Sequence, residues 1–597
     1  MNNKNPQTSW LTLPGMFFSQ AERYGNKPFL WHKKGERWKA LSWEETAVQV
    51  AKAGEALKGL GVKPGDRVAI LSENRPEWVI ADLAIMAIGA IAVPLYTTNT
   101  SSDHLHVLEN SGAKAVIIST AALLKNFLPA AHESDSMKNA ICMEPYKLSQ
   151  RLNVELLQWW DILENQHGNV VGMISGLADI KRADPAIIIY TSGTGGTPKG
   201  VVLHHGSILH NCEGAEEILF PYGLKGHRFL SFLPLSHAYA QTGDLFLPIH
   251  LGAEIYFAEG LEKLSSNMVE TKPTVMLVVP RLFETIKGRI ELALKKEGGA
   301  KKKLFYRAVE LGSKKYKGQP MTLIERLEDK CLTALVRRKV KKRFGGKIKA
   351  LVSGGAAMSP DVGLFFVALG INVLQGYGQT ETGPLISANR EPKIKMDAVG
   401  PPVKATRVKI ADDGEILVQG ELVMKGYWRD PDATAMAIRD GWLHTGDIGI
   451  FDEDGHLKIT DRKKDIIVFD KGDNVSPQRI EGFLTLEEEI AQAMVSGDAR
   501  PYLVGLIVPD DLWFKNWKQE NGKKGNLQSL CSDPDLKKAI GAAVSRVNSK
   551  LSNLERVRGF LIAGHSFTIE NEQMTPTMKI RRHIIRAEFG DELDALY

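Results

Sequence analysis

The stretch AIIIYTSGTGGTPKGVVL, residues 186–203, decides how the rest of the sequence is interpreted. It places a loop rich in glycine and hydroxyl side chains, residues 191–200, between two short apolar runs that are typical of buried strands. Glycines let a backbone approach a ligand closely, hydroxyls and amides donate to phosphate oxygens, and Lys199 supplies positive charge. The stretch therefore predicts a strand, a phosphate-binding loop and a second strand.

This loop is different from a Walker loop, because Gly-x-x-x-x-Gly-Lys-Ser/Thr spacing is absent and Lys199 is followed by glycine. The alternative interpretation is an exposed Gly/Ser/Thr-rich turn, which the strand on each side disfavours. If the loop holds phosphates, the candidate contacts are Thr191, Ser192, Gly193, Thr194 and Lys199.

Short apolar runs alternate with helical patterns through the first part of the chain. These runs cover residues 67–71, 115–118, 186–190, 275–279 and 348–352. Buried runs separated by helices indicate parallel sheets with crossover helices, and hence an α/β architecture. The apolar stretch 79–96 contains Asp82, Gly89 and Pro94, so it predicts a buried helix leading into a strand rather than a membrane span.

The sequence changes character after about residue 395, where short alternating segments are separated by turn residues. Asp-Asp-Gly at 412–414 precedes one run, and Glu-Asp-Gly at 453–455 precedes another. These patterns predict hairpins, and hence a small β unit at about 395–460. We place a boundary near Asp461, with a large domain over 1–460 and a smaller α+β domain over 461–597.

Composition and charge limit the class of protein. The chain has 597 residues, too many for one hydrophobic core, so several compact units are expected. A formal charge of +6 suits an anionic ligand without requiring nucleic acid. The four cysteines lack CxxC spacing, which fits a reducing compartment and argues against structural zinc. Residues 1–15 lack a secretory signal, so we expect a cytoplasmic protein.

The segment 287–349 is crowded with lysine and arginine, including 301–303 and 337–343. The interpretation that we favour is a pair of solvated helices, because charge runs usually cover exposed faces. The alternative is contact with CoA phosphates or with anionic lipid headgroups, which would hold the protein peripherally on the inner face of a membrane. The oligomeric state is left open.

A second candidate segment, QGYGQTETG at 375–383, follows a predicted strand at 371–374. The ends of strands in open α/β sheets are where such sheets bind ligands. Tyr377 can cover a purine face, Thr380 can donate to a phosphate, and Glu381 is an oxygen ligand suited to Mg²⁺. A turn with an exposed glutamate is the alternative.

Two later residues suggest no chemistry by themselves. Asp447 ends the segment WLHTGD at 442–447, where an aspartate is usually a turn former. Lys579 lies in MTPTMKIRR at 574–582, where a lysine beside arginines is nearly always a solvated charge.

Taken together, these segments resemble the motifs of the acyl-adenylate-forming family, which includes acyl-CoA synthetases, firefly-type luciferases and the adenylation domains of peptide synthetases. The loop at 191–200 resembles the family's Thr-Ser-Gly-Thr-Thr-Gly-x-Pro-Lys-Gly, with Gly195 in place of the second threonine of the pair. The segment 376–381 resembles its Gly-Tyr-Gly-x-Thr-Glu motif, and the segments around Asp447 and Lys579 resemble its later motifs. The resemblance runs from about residue 10 to the C-terminus, with the motifs in the family's order.

The resemblance implies an α/β fold with a large N-terminal domain of two doubly wound α/β subdomains plus a small β-barrel, followed by a small mobile α+β domain that rotates about Asp461. It implies that Thr194, Lys199 and Lys579 stabilise charge on the departing pyrophosphate, and that Gly472 lines a tunnel for the CoA thiol. The ATP and Mg²⁺ contacts that it implies beyond the loop are Gly354, Gly355, Ala356, Gln375, Gly376, Tyr377, Thr380, Asp447, Arg462 and Lys579, with Glu381 on the metal.

The implied reaction is attack of a carboxylate on the α-phosphorus of ATP, followed by transfer of the acyl group to coenzyme A. The segment LPLSH at 233–237 and the insertion after 280–284 resemble the long-chain fatty acyl-CoA synthetase branch, so a fatty acid, ATP and CoA are the expected partners. His237 either lies near the acyl carbon or is a buried, hydrogen-bonded histidine. Two alternatives stay open: an acyl-AMP ligase that serves a carrier protein, and a non-catalytic nucleotide- or lipid-binding homologue.

Overall fold

The computed structural model describes residues 10–147, 153–191, 197–463, 465–471, 473–575 and 580–597. Helices and strands alternate over most of these ranges, and the strands form two large mixed sheets and three smaller sheets. The predicted α/β class is confirmed.

The first part of the chain supplies most strands of one large sheet. Its elements are α1 (Leu13–Tyr24), β1 (Pro28–Lys34), β2 (Arg37–Ser42), α2 (Trp43–Gly59), β3 (Arg67–Leu71), α3 (Pro76–Ala87), β4 (Ile91–Leu95), α4 (Ser101–Ser111), β5 (Ala115–Ile118), α5 (Ala121–Glu133), β6 (Asn139–Cys142), β7 (Glu155–Gln158), α6 (Trp159–Glu164), α7 (Val170–Gly176), β8 (Pro185–Thr191), β9 (Lys199–His204) and α8 (His205–Leu219).

The middle of the chain supplies most strands of the other large sheet. Its elements are β10 (Arg228–Ser231), α9 (Ala238–Ala240), α10 (Leu247–Leu251), β11 (Glu254–Phe257), α11 (Leu264–Thr271), β12 (Val275–Val278), α12 (Pro280–Glu297), α13 (Gly299–Tyr316), α14 (Leu323–Leu332), α15 (Arg338–Arg343), β13 (Ala350–Ser353), α16 (Pro360–Ala368), β14 (Val373–Gly378) and β15 (Leu385–Ala388).

The last third forms the smaller sheets. Its elements are β16 (Arg407–Ile410), β17 (Glu415–Gln419), β18 (Gly426–Tyr427), α17 (Pro431–Ala437), β19 (Ile438–Arg439), β20 (Trp442–Phe451), β21 (Leu457–Arg462), β22 (Ile467–Val468), β23 (Asn474–Val475), α18 (Pro477–Leu484), β24 (Ile490–Ser496), β25 (Leu503–Pro509), α19 (Asp511–Glu520), α20 (Leu527–Leu530), α21 (Pro534–Asn548), β26 (Val557–Ile562) and α22 (Arg582–Asp594).

The first large sheet has the strand order β7–β6–β5–β3–β4–β8–β9–β18 and is parallel from β7 to β8. Both faces of its central strand are covered, since Val68 and Ile70 lie in one hydrophobic core while Ala69 and Leu71 lie in another. β9 and β18 extend the edge as antiparallel strands. The short strand β18 therefore returns a distant part of the chain to the strand that carries Lys199.

The second large sheet has the order β15–β14–β13–β12–β10–β11–β1–β2, with antiparallel pairs only at its two edges. The predicted strand at 371–374 is observed as β14, but it continues through Gly378. Residues 375–378 of the second candidate segment therefore lie within a strand, because β15 pairs with them from the other side. The predicted helix and strand within 79–96 are observed as α3 and β4.

The small β unit is an antiparallel sheet in which β16, β17 and β20 follow one another and both β19 and β21 pair with β20. Among the described residues these pairings leave the sheet open, so the predicted small barrel is observed as a sheet without closure. Asp447 lies within β20 rather than in the expected turn, because β21 pairs with this part of β20. The final sheet, β24–β25–β26, packs with α18, α21 and α22 into a small α+β unit.

The basic insertion forms four helices, α12 to α15, rather than the predicted pair of helices. Gly298 and the exposed segment 317–322 separate the first three helices, and a π-helical turn joins α14 to α15. Within the described ranges, none of the helices combines the length and the hydrophobicity that crossing a bilayer demands.

Candidate active site

The strands that flank the glycine-rich loop form an antiparallel pair in which Thr191 lies opposite Lys199. Ser192, Gly193 and Thr194 lie outside the described residues. The Lys199 ammonium is 3.4 Å from a carboxylate oxygen of Asp430 and 5.2 Å from the centre of the Tyr427 ring. Lys199 is therefore held at the sheet edge by contacts that are weak enough for an anionic ligand to replace.

The turn after β14 carries Glu381, whose carboxylate accepts a 2.9 Å hydrogen bond from the Tyr427 hydroxyl. The turn is fixed from behind, because the Asn211 side chain donates to the Thr382 carbonyl at 2.9 Å and accepts from the Leu385 amide. Thr380 lies in the same turn and is partly exposed. Tyr427 thus contacts both Glu381 and the lysine of the glycine-rich loop, and so connects the two large sheets.

Tyr377, Asp447 and Arg462 form a second group. The Tyr377 hydroxyl donates to Asp447 at 2.7 Å, and the Arg462 Nε lies 3.4 Å from the other carboxylate oxygen. Burial, together with the charge of Asp447, holds the pKa of Tyr377 well above its ordinary value, so this hydroxyl stays a donor. Arg462 is placed by β21, where it pairs with Asp447 across the sheet.

The two groups lie side by side. The positive charge of Arg462 opposes the rise in the pKa of both Tyr377 and Tyr427. Burial is the main cause of the raised pKa of Tyr427, and the carboxylate of Glu381 adds to it. Side chains from three sheets therefore form these two groups, which together hold hydroxyl, carboxylate and cationic side chains.

Three of the predicted ATP contacts, Gly354, Gly355 and Ala356, directly follow β13. Gly354 is buried, and a Cβ at this position would approach the Tyr239 ring at 3.0 Å, whereas Gly355 has a positive φ of 82° and is exposed. Ala356 is exposed as well. The Tyr239 hydroxyl donates to the Val352 carbonyl at 2.8 Å, so glycine at 354 leaves room for a ring that fastens the end of β13.

Two predicted site residues have structural contacts of their own. Gln375 is buried and its amide donates to the Met396 carbonyl at 2.7 Å, so its side chain is engaged in the fold. His237 caps α9, and its Nδ1 accepts from the Tyr239 amide at 3.1 Å. A hydrogen-bonded role for His237 is thus observed, and a role near the acyl carbon stays a prediction. Gly376 pairs with Ala388 of β15.

The end of the chain contributes a buried ion pair beside the predicted hinge. Arg582 contacts Glu481 at 2.6 Å, and Glu481 also accepts from the Val495 amide at 2.8 Å. Burial raises the pKa of Asp461, which lies near enough to Arg582 for the arginine to oppose that rise. Lys579 and Gly472 lie outside the described residues, but Arg582 fastens the segment that follows Lys579 to the small domain.

Sequence reasoning missed Tyr427 and Asp430, which contact predicted site residues. Tyr427 lies in GYW at 426–428, a segment without a phosphate- or metal-binding pattern. It reaches the site because β18 pairs with β9, and this long-range pairing has no local signal in the sequence. Such residues are found from topology and not from motifs.

Hydroxyl, carboxylate and cationic side chains brought together at the ends of strands in mixed sheets are typical of nucleotide-binding α/β proteins. The family model for AMP-binding enzyme matches residues 17–428, and the model for the AMP-binding enzyme C-terminal domain matches residues 464–597. This chain therefore belongs to the AMP-binding enzyme family.

Curated relatives cover nearly the whole chain. Long-chain-fatty-acid–CoA ligase FadD15 of Mycobacterium bovis is 36% identical over 578 residues, covering 94% of this chain and 92% of that protein. Long-chain-fatty-acid–CoA ligase 6 of Mus musculus is 32% identical over 612 residues, covering 96% and 85%.

Solved structures share the fold at low identity. The adenylation domain of a carboxylate reductase from Mycobacterium chelonae has a TM-score of 0.78 at 20% identity and covers 100% of this chain and 92% of that chain. ATP-bound MatB from Rhodopseudomonas palustris has a TM-score of 0.70 at 18% identity and covers 98% and 100%. The predicted division into a large N-terminal and a small C-terminal part agrees with these folds.

Proposed function

We propose that this chain uses ATP to activate a long-chain fatty acid as its acyl-adenylate and then transfers the acyl group to coenzyme A. The observation that carries the proposal is that two groups of polar side chains form where the sheets meet: Lys199 and Glu381, both in contact with Tyr427, and Asp447 in contact with Tyr377 and Arg462. The names of the curated relatives, long-chain-fatty-acid–CoA ligases, support a long-chain acid as substrate and CoA as acceptor.

The nucleotide would lie across the two groups of polar side chains. Asp447 accepts hydrogen bonds from the ribose hydroxyls, and the nearby Arg462 adds a donor to the same nucleotide. Tyr377 covers the purine from one side and orients the Asp447 carboxylate through its own hydroxyl. Gly354, Gly355 and Ala356 supply the facing wall, while Thr191 and the rest of the glycine-rich loop hold the phosphates.

Glu381 is the residue that would hold Mg²⁺. One of its carboxylate oxygens accepts from Tyr427, which leaves the other for the metal. The described residues contain no cluster of three or more His, Cys, Asp or Glu side chains, so phosphate oxygens and water would complete the coordination shell. When bound, Mg²⁺ supplies positive charge beside the phosphate oxygens.

The protein's own residues supply position and charge to the first step. A carboxylate is a poor acyl donor until its oxygen joins the α-phosphorus of ATP, which releases pyrophosphate and forms the mixed anhydride. Thr194, Lys199 and Lys579 stabilise the charge that develops on the departing phosphates, and Thr380 donates to the phosphate that remains.

The second step needs room for the thiol. The CoA sulfur attacks the acyl carbon and AMP leaves, after the small domain has rotated about Asp461 so that Gly472 faces the site. Glycine at 472 keeps the tunnel open, because any larger side chain would narrow it. The domain boundary at 460/461 and this rotation belong to the proposal.

The test is an assay of AMP formation over acids of graded chain length, with and without CoA, in the wild type and in Lys579→Ala. Removal of one well-placed charge at a phosphoryl-transfer site lowers turnover by about a hundred- to a thousandfold, so ATP–pyrophosphate exchange should fall by that factor. Thioester formation from supplied acyl-AMP should fall much less. Lys458→Ala is the matched control, because Lys458 pairs with Asp397 away from the proposed phosphate contacts.

Three outcomes would contradict the proposal. If Lys579→Ala catalyses ATP–pyrophosphate exchange near the wild-type rate, Lys579 does not stabilise the departing phosphates. AMP release without consumption of the CoA thiol, combined with acylation of a carrier protein, favours the acyl-AMP ligase alternative. No acid-dependent AMP release from the wild type favours a non-catalytic homologue.

A further inference from the structure

One exposed helix carries an apolar face that no described part of the chain covers. α14 begins at a capping box formed by Thr322 and Glu325 and continues through the π-helical turn into α15. Along it, Leu323 and Ile324 are each 77% exposed, Leu327 is 64% exposed and Leu335 is 52% exposed. Cys331 lies on the same side and is exposed. We call these five residues the outer face.

The acidic residues of this helix all turn away from the outer face. Glu325 pairs with Lys314 at 2.7 Å. Glu328 pairs with Arg307 at 2.9 Å, and Asp329 pairs with the buried Arg337 at 2.7 Å. The negative charge of the helix is therefore neutralised against α13 and within the helix itself.

Apart from the buried Arg337, the basic residues of the same helix are exposed, and none of these exposed residues forms an ion pair with another described residue. These exposed residues are Arg326, Lys330, Arg338, Lys339, Lys341, Lys342 and Arg343. Because the carboxylates of this helix are paired with Arg307, Lys314 and Arg337, the exposed basic side chains next to the row of large apolar side chains have no acidic partner. A helix that only faces water lacks such a combination of an exposed apolar row and unpaired positive charge.

We propose that the outer face and its basic border dock on the surface of an anionic lipid bilayer, with the helix lying in the plane of the interface. Leucine and isoleucine would enter the boundary between headgroups and acyl chains, while lysines and arginines contact lipid phosphates. Nucleic acid also binds basic surfaces, but its phosphates give no partner to four large apolar side chains. The proposal assigns membrane contact to one helix face within the basic segment 287–349. This assignment does not depend on the proposed reaction.

Sedimentation of the full-length protein with lipid vesicles tests the proposal. Vesicles of phosphatidylcholine with phosphatidylglycerol should bind the wild type, and vesicles of phosphatidylcholine alone should bind it much less. Added salt should weaken binding, because it screens exposed charges. Each basic residue of the border replaced by glutamine should lower partitioning by about fivefold.

The apolar contribution is isolated by Leu323→Gln/Ile324→Gln/Leu327→Gln, which leaves the charge unchanged. This variant should bind the anionic vesicles at least about tenfold more weakly than the wild type. Val171→Gln/Leu261→Gln is the matched control, since these side chains are 75% and 70% exposed elsewhere on the surface, and it should bind like the wild type. Circular dichroism and the rate of AMP formation from a water-soluble acid confirm that the variants are folded.

A dye on Cys331 gives a second readout. With Cys531→Ser in the background, the exposed Cys331 is available to a polarity-sensitive thiol dye, because Cys142 and Cys212 are buried. Its emission should shift to the blue on anionic vesicles, while the same dye on Cys531 in a Cys331→Ser chain should not shift.

The proposal is overturned if the apolar triple variant binds vesicles as the wild type does, or if the Cys331 dye shows no shift. It is also overturned if the triple variant changes only the oligomeric state measured by light scattering, because the outer face is then an interface between copies of this chain.

Discussion

At the scale of single residues, Asp447 joins two neighbours that come from different parts of the chain. Its carboxylate accepts from Tyr377 on one oxygen and lies beside Arg462 on the other. The orientation of this carboxylate is therefore set by side chains from two different strands, β14 and β21. The nearby turn, by contrast, is held by Asn211 and Tyr427.

We expect Asp447→Asn to raise the KM for ATP by about ten- to a hundredfold, because a hydrogen bond to a charged group contributes about 1.5–3 kcal/mol. The kcat should change less. Steady-state kinetics with ATP varied at saturating acid and CoA measure the effect. Asp412→Asn is the control, since Asp412 is an exposed turn residue. An unchanged KM with a lowered melting temperature would assign Asp447 a structural role alone.

Asp82 is a second residue with a testable consequence, since it is fully buried on α3 and accepts from the Gln241 amide at 3.2 and 3.3 Å. Burial raises its pKa to about 8 from an ordinary value of 3.8. Between these values the unfolded chain is ionised at this residue and the folded chain is protonated. The contribution of Asp82 to the free energy of unfolding is therefore fully present below pH 3.8 and is lost as the pH rises toward 8.

Asp82→Asn should therefore stabilise the protein at pH 8 relative to the wild type and should do so less at pH 5. The gain is on the order of a few kcal/mol, because each unit of pKa difference corresponds to about 1.4 kcal/mol. Urea unfolding of both proteins at the two pH values measures it. Asp135→Asn, at an exposed position, should show no such divergence, and parallel pH profiles for Asp82→Asn would refute the assignment.

The residues of the site could be predicted where a local motif or the family resemblance indicates them. Lys199 and Glu381 follow from their own motifs, and Asp447 follows only from the resemblance; the structure places all three in the two groups of polar side chains described above. Tyr427 does not follow, because its role depends on β18 reaching β9 across more than two hundred residues of chain, and loop closure over such distances leaves no local pattern.

At the scale of elements, buried strands were predictable because both faces of each large sheet require apolar residues. The runs 67–71 and 115–118 coincide with β3 and β5. The end of β14 was not predictable, because Gly376 and Gly378 are typical of turns and only pairing with β15 keeps them in a strand. The course of β20 was not predictable either, because Gly446 has a positive φ of 71° at an irregularity in the pairing with β17, and β20 continues beyond it. Tertiary pairing overrode local preference at both positions.

The helical insertion depends on one buried arginine. Arg337 donates at 2.8 Å to the Ala308 carbonyl of α13 and to the Ala368 carbonyl at the end of α16, and it pairs with Asp329. It therefore fastens three helices by charge-assisted hydrogen bonds that a hydrophobic residue cannot replace.

Arg337→Met should cost about 3–5 kcal/mol, because it leaves the Asp329 carboxylate without its partner in a protected position. The loss should be local, so limited proteolysis should cut between residues 299 and 343 faster than elsewhere. Arg338→Met, at the exposed neighbouring position, is the control. Adding Asp329→Leu should recover part of the loss, and a double variant as sensitive as the single one would argue against a buried ion pair.

At the scale of the whole molecule, the large and small parts touch through an ion pair between two exposed side chains and through Leu486, which packs against the core of the second large sheet. Lys295 of α12 lies 3.3 Å from Glu488, just after α18. Both side chains are about two-thirds exposed, so this ion pair is too weak to fix the two parts by itself. Rotation about Asp461 would break it at little cost.

Replacing Lys295 and Glu488 by cysteine in a Cys331→Ser/Cys531→Ser background, and bridging them with a short bis-maleimide, should hold the small domain in this orientation. Overall formation of the CoA thioester should fall at least about tenfold, because the proposed cycle needs two orientations, while one of the two half-reactions is retained. Each single-cysteine variant treated with the same reagent is the control. Full turnover after complete bridging would show that no rotation is required.

Two glycines of the second candidate segment are under different steric constraints. A Cβ at Gly378 would overlap the Pro384 carbonyl, whereas a Cβ at Gly376 would meet nothing nearer than 3.5 Å. Related chains should therefore all carry glycine at position 378, because any side chain there would collide with the backbone. At position 376 the fold leaves room for a side chain, so only a bound ligand would exclude one. An invariant glycine in this motif is therefore no proof of a role in binding.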